Sequence, residues 1–224
     1  MTRRTVSLDL MEFVEQNILP KYNAFDKAHR LGHVSRVIKN SLNLAVSVGV
    51  DVDMAYTIAA YHDLGLSGPR AAHHILSGKI LLADKRLKRW FSDEQIRIMK
   101  EAVEDHRASA SHTPRNIYGK IIAEADRDLD PREVFTRAIE YGLEHYPEKN
   151  GEEQWLRFVA HMEEKYSSHG YMRLWIAHSP NETKLNEIRN TINDRVALRR
   201  IFDEIYLQCT TSPQSPAKGD STHT

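Results

Sequence analysis

Apolar residues recur at helical spacing through nearly the whole chain, and that periodicity leaves little room for any fold but a helical one. Leu8, Met11, Val14 and Ile18 fall three or four residues apart before a stop at Pro20, the interval that stacks side chains on one face of an α-helix. Val34, Ile38 and Leu42 repeat the stripe, and Gly49 stands where a left-handed cap would end a helix of about His29 to Val48. A third helix is expected from Asp51 or Asp53, carrying Ala55, Ile58 and Ala59 into Tyr61-His62-Asp63-Leu64, with Gly65 as terminator. No strand run competes.

Later helices mark their own starts. Ser92-Asp93-Glu94-Gln95 reads as a capping box. Asp130-Pro131-Arg132-Glu133 and Ser179-Pro180-Asn181-Glu182 repeat that logic with proline at the first helical position. The final helix is expected from about Pro180 to Leu207, and the tail Thr211 to Thr224 has too little apolar content to fold alone. The chain has no internal repeat. These features predict an all-α, single-domain helical bundle.

Composition narrows the chemistry. With 224 residues, 41% of them hydrophobic, the chain suits one domain with a real core. Lys plus Arg number 31 and Asp plus Glu number 31, so no global basic field exists to hold a nucleic-acid polymer, and a phosphate must be gripped locally. Cys209 is the sole cysteine, which excludes an internal disulfide framework and the usual thiolate zinc sites. Any metal must be held by His, Asp and Glu. Acidic residues interrupt the apolar ones at the N-terminus, and no apolar run approaches the roughly 20 residues that span a bilayer, so the expected location is cytoplasmic, without a membrane partner.

Metal-competent side chains sit in half-apolar helical contexts at His29-x-x-x-His33, His62-Asp63, His73-His74 and Glu124-Ala125-Asp126, and His106 makes a fifth place. His33 projects near the stripe of Val34 and Val37. The doublet ends the small-residue segment Ile58-Ala59-Ala60-Tyr61, which lets neighbouring helices approach closely. Adjacent helical residues diverge by about 100°, yet a ring nitrogen and a short carboxylate can still reach one cation over a helix end. A buried Asp63 without a cation or partner would be costly, and Asp126, beside Ile121, Ile122 and Ala125, poses the same problem. Taken singly, each histidine is more often a hydrogen-bonded core or surface residue, and 12 histidines give many chances for accidental clusters. The joint pattern carries the argument.

That ordered pattern, His33, then His62-Asp63, then Asp126, resembles the signature of the HD domain superfamily. His33-Val34-Ser35-Arg36-Val37 is similar to its first motif, Ala59-Ala60-Tyr61-His62-Asp63-Leu64-Gly65 to its small-apolar approach to the doublet, and Lys120-Ile121-Ile122-Ala123-Glu124-Ala125-Asp126-Arg127 to its late acidic motif. Relatives of the small nucleotide pyrophosphohydrolase type often carry Asp where Glu124 stands. The likeness spans about Asp26 to Gly142. It implies a metal-binding core over 26–142 and leaves the rest unassigned; periodicity and composition add an N-terminal helix over 1–25, C-terminal helices over 143–210 expected to pack on the core and a disordered tail over 211–224.

The resemblance implies one divalent ion held by His33, His62, Asp63 and Asp126. Two imidazoles and two carboxylates suit manganese, cobalt, iron, nickel or magnesium, and such an ion can activate water against phosphorus. Some members hold a second ion through extra histidines, which leaves His74 and His106 open between second-site ligands and catalytic groups facing the substrate phosphate. The complete four-residue set for one ion favours the latter. Asp63 or a nearby histidine would orient the water. Among Arg36, Arg70, Lys79, Arg107 and Lys120, the two singled out for phosphate are Lys79 and Arg107, each close in sequence to a candidate histidine. The function expected is a metal-dependent phosphohydrolase acting on a nucleotide or other small phosphate ester. The alternatives are a diiron HD-type oxygenase and a non-catalytic metal- or nucleotide-binding module. Substrate identity and oligomeric state are not legible.

Overall fold

In the segment Val52–Tyr61 every residue except Asp53 is buried; a helix apolar nearly all round must sit inside others. The computed structural model describes residues 5–25, 31–107 and 112–211, so His29 and the tail from residue 212 onward lie outside the described residues. Ten α-helices occur in them: α1 Leu8–Asn17, α2 Leu31–Val48, α3 Val52–Tyr61, α4 His73–Ala83, α5 Asp93–Glu104, α6 Ile117–Ala125, α7 Pro131–His145, α8 Gly151–Tyr166, α9 Pro180–Asn193 and α10 Arg195–Thr211. Among the described residues there is no strand, and no helix is long and apolar enough to cross a membrane. The all-α expectation holds.

The chain divides into two compact units. The first runs to Asp128 and takes in the returning segment Arg173–Glu182; the second comprises Leu129–Met172 and resumes at Thr183. Residue 142, the sequence-based limit of the core, lies within α7 in the second unit.

In the first unit α3 packs against α1, α2, α4, α5 and α6. Its start is fixed by Asp51, whose carboxylate accepts the amides of Asp53 and Met54. On α2 the buried set is Val34, Val37, Ser41, Leu44 and Ala45, a stripe turned from the expected Val34, Ile38 and Leu42, of which the last two are only partly buried; Gly49, at φ 80°, ends that helix in the left-handed conformation expected of it. The capping box of α5 is present, with Ser92 accepting the amide of Gln95 and Gln95 accepting that of Ser92.

In the second unit α7 packs on α8 and α10. Phe158 meets Phe135 and Phe202 at ring-centroid distances of 6.0 and 5.3 Å, and Trp155 meets Phe202 at 5.3 Å. Such pairs contribute about 0.5–1.5 kcal/mol each beyond their area burial.

Three local expectations need correction. The third helix stops at Tyr61, before the doublet, and Leu64–Ser67 forms a separate short 3₁₀ turn. Gly65 is therefore not a left-handed terminator; the cause of a glycine there is the crowding described below. The expected final helix is two helices, broken at Asp194, whose carboxylate accepts the amides of Val196 and Ala197 and so starts α10. At the head of α9 the capping box does not form. Glu182 accepts the amide of His178, and the Ser179 hydroxyl is buried without a hydrogen-bond partner among the described residues.

Candidate metal centre

The doublet lies where α3 gives way to a tighter turn, and two neighbours hold it there. The hydroxyl of Tyr22 is fully buried; it donates to Ala60 O at 3.0 Å and accepts the amide of Asp63 at 3.4 Å. Ser77 Oγ accepts the amide of Gly65 at 2.8 Å. A Cβ on Gly65 would collide with the carbonyl oxygen of His73 and stand 2.6 Å from the amide nitrogen of Ser77, so only glycine lets α4 approach the doublet this closely. Gly65→Ala is expected to cost about 3 kcal/mol, because backbone rather than a flexible side chain blocks the methyl. Urea denaturation checks it; a loss below about 1 kcal/mol would mean the backbone yields easily.

Around this turn the expected ligands converge. His33 Nε2, from α2, lies 3.2 Å from His62 Nε2, 3.5 Å from Asp63 Oδ2 and 3.2 Å from Asp126 Oδ1. His62 Nε2 lies 3.2 Å from Asp63 Oδ2 and 3.6 Å from Asp126 Oδ1. A second group forms on the other oxygen of the same carboxylate: His73 Nε2 and His106 Nε2 each lie 3.5 Å from Asp63 Oδ1 and 3.0 Å from one another. Asp63 thus turns one oxygen to each cluster.

Three of the rings share one device. His62 Nδ1 meets Ala59 O at 2.8 Å, His73 Nδ1 meets Arg70 O at 2.7 Å and His106 Nδ1 meets Val103 O at 2.6 Å. A carbonyl can only accept, so each ring carries a proton on Nδ1 and turns Nε2 inward, as a lone pair when the ring is neutral and as a second donor when it is protonated. Lone pairs facing one another and facing carboxylate oxygens at these distances repel unless a cation stands between them. The donor set therefore fits a divalent ion, and residues that could hold one are His33, His62 and Asp63 in one group and Asp63, His73 and His106 in the other.

Burial sets the charge states. Desolvation opposes ionisation of Asp63, but the charge of His62 and hydrogen bonds from His106, His33 and His62 outweigh it and hold the carboxyl far below the usual carboxylate range. Asp126 is held down against desolvation by hydrogen bonds from His33 and His62. Desolvation opposes charge on the His33 and His62 rings too, yet Asp63 and Asp126 raise both above the ordinary histidine value. His62 is fully buried, whereas the side chains of His33 and Asp126 are 11% and 25% exposed, so the centre opens on their side.

Not every expected residue joins. His74 stays outside both clusters, and burial together with the charge of Arg107 pushes its ring down to about 4. Its neighbour His73 takes the place expected of it, since successive helical side chains point about 100° apart and the first residue of α4 is the one turned to the doublet. Lys79 is exposed on α4. Arg107 is closer to the chemistry: it donates to Ala71 O at 3.0 Å, and its charge reaches His73 and His74. The strand of chain around His106 is anchored by buried Asp105, which accepts the backbone amide of Arg115 at 2.7 Å and its guanidinium at 2.9 Å.

The HD domain family profile matches residues 30–129. The chain carries an HD domain. No curated protein and no solved structure matches the chain. All six converging side chains of the HD domain, from His33 to Asp126, lie inside the matched segment. Sequence reasoning missed Tyr22 and His73. Tyr22 lies beyond the stop at Pro20, in a separate 3₁₀ turn, and gave no local signal, while His73 was visible as half of a pair whose turn toward the doublet only packing could reveal.

Proposed function

We propose that this HD domain is a divalent-metal-dependent phosphohydrolase acting on a nucleotide or other small phosphate ester, and that it works with two ions rather than one. The observation carrying the reading is the Asp63 carboxylate, whose two oxygens each face a separate histidine pair at 3.2–3.5 Å. His33, His62, Asp63 and Asp126 would hold one ion; Asp63, His73 and His106 would hold the other. When bound, such ions polarise a phosphoryl oxygen and make water acidic enough to attack near neutral pH. The chain's own groups prepare that chemistry. The carbonyls of Ala59, Arg70 and Val103 lock three rings with their lone pairs inward, and the low carboxyls of Asp63 and Asp126 stay ionised throughout the working pH range. Arg107 and the exposed guanidinium of Arg36, 3.4 Å from His33 Nδ1, supply positive charge for a phosphate.

The test is elemental analysis of chelator-free protein before and after manganese loading, joined to phosphate release from nucleotides and phosphomonoesters with manganese, cobalt, nickel and magnesium. His73→Ala is expected to drop the metal content from two ions per chain to one and to cut turnover by about 100-fold, whereas His74→Ala leaves two ions. One ion per parent chain would overturn the two-ion design, and metal-free protein in every preparation would end the reading altogether. The paired histidines also suit a diiron oxygenase; product formation that stops under anaerobic conditions would select that class.

A further inference from the structure

The returning segment Arg173–Glu182, which the chain enters after Met172 and leaves at Thr183, is fastened by hydrogen bonds to the C-terminal end of α6. Trp175 and Ile176 donate their amides to Glu124 Oε2 at 2.8 and 2.9 Å. Asn181 Nδ2 donates to Glu124 O at 3.0 Å, and the guanidinium of Arg127 donates to Arg173 O. A helix leaves its last carbonyls without partners of its own; here Asn40 of α2 takes Ala125 O, at 3.2 Å. Asp126 stands in the middle of these contacts, with Glu124 and Ala125 before it and Arg127 after it. The backbone that carries this candidate ligand is thus gripped on both sides by the returning segment.

The fastening has little margin. Glu124 is fully buried, and a carboxylate withdrawn from water is costly unless its oxygens find donors. Two amides reach Oε2, but Oε1 is buried with no hydrogen-bond partner among the described residues. An oxygen left in that way opposes the docked state by its own desolvation. Glu124 also belongs to neither group of candidate ligands, so its carboxylate serves the segment and not an ion.

We infer that the returning segment is a latch coupled to the metal centre. Docking of its amides on Glu124 sets Asp126 in its ligating position, and occupancy of His33, His62, Asp63 and Asp126 by an ion in turn favours the docked segment. Glu124 is then a positioning residue. The inference rests on the reading of those four side chains as a metal site. Coupling of this kind is reciprocal: the factor by which docking tightens the ion equals the factor by which the ion suppresses opening of the segment.

Trypsin and manganese, applied to the full chain, test it without turnover. Arg173 is exposed, and the bond after it belongs to the peptide whose carbonyl Arg127 holds, so cleavage there, identified by fragment mass, follows the population of the open segment. In the parent, saturating manganese is expected to slow that cleavage about tenfold, within the usual range of coupling. Glu124→Ala removes the acceptor of both amides. Its metal-free form is expected to be cleaved faster than the parent's, and manganese no longer protects it. Titration calorimetry is expected to show the site that uses Asp126 weakened by about the same tenfold, with little change at the site of His73 and His106. Glu124→Gln keeps a carbonyl oxygen for the two amides and is expected to recover most of the affinity and the protection. Asn181→Ala, a milder change should Glu124→Ala fold poorly, is expected to move both readings in the same direction by a smaller factor. Faster cleavage with manganese affinity equal to the parent's would make Glu124 a structural fastening only and overturn the inference. So would manganese binding that leaves cleavage of the parent unchanged, and in that case the metal-site reading stands. A parent that binds no manganese overturns that reading and the coupling together.

Discussion

Asp63→Ala should reduce phosphate release by well over 100-fold and remove most of the bound metal, while the helical circular dichroism stays nearly unchanged. The size of the effect follows from position. A group that only orients a ligand typically costs 10- to 100-fold in metal affinity or activity, but Asp63 offers one oxygen to His33 and His62 and the other to His73 and His106, so its removal strips both clusters at once. The folded state should survive, since α3 is held by the burial of its own apolar residues and by the Tyr22 hydroxyl on Ala60 rather than by the carboxylate. Asp63→Asn, which keeps the shape and removes the charge, should fall nearly as far. Metal analysis and phosphate release of both variants are the measurements, and full activity in either would show the doublet to be structural.

Removing the metal should reverse the pH dependence of stability. In the metal-free protein His33 and His62 are raised above their ordinary value of 6.5 by Asp63 and Asp126, against the opposing effect of burial. The folded state then binds more protons than the unfolded one at pH values above 6.5, so its stability is full below that value and is lost as pH rises through the higher folded values. His73 and His74 are shifted downward and no longer titrate in that window. With metal bound, the same rings must be unprotonated, and stability instead rises with pH as protons stop competing for the ligands. Metal at about 1,000 times its dissociation constant adds about 4 kcal/mol, on the order of 10 °C in melting temperature for a chain of this length. Thermal melts at pH 6.5 and 8.5, with EDTA and with manganese, are expected to show opposite trends. Parallel trends in the two conditions would mean that the ion does not sit on these histidines.

Much of this was legible because helical periodicity is a local property. The left-handed Gly49, the Ser92 box and the Asp130 cap each depend on residues within one or two turns, and each forms as read; the stripes of α1 and α2 form on a face shifted from the expected one, with Leu8 81% exposed and Leu10 buried in its place. The four-residue signature was legible for another reason: metal ligands must be particular side chains, and their order along the chain survives whatever the packing.

What the sequence could not decide depends on distance and direction between segments far apart in the chain. Whether His73 or His74 faces Asp63 turns on the rotation of α4 about its own axis, fixed by how tightly that helix seats against Gly65. The end of α3 before His62, and the use of Gly65 as contact space instead of a cap, follow from the same crowding. The return of Arg173–Glu182 to the first unit has no local signature, because Glu124 captures the amides of Trp175 and Ile176 across 51 and 52 residues of chain. Local pattern determined the helices and the kinds of ligand; burial and long-range hydrogen bonds decided which rings meet, and that a single carboxylate joins them.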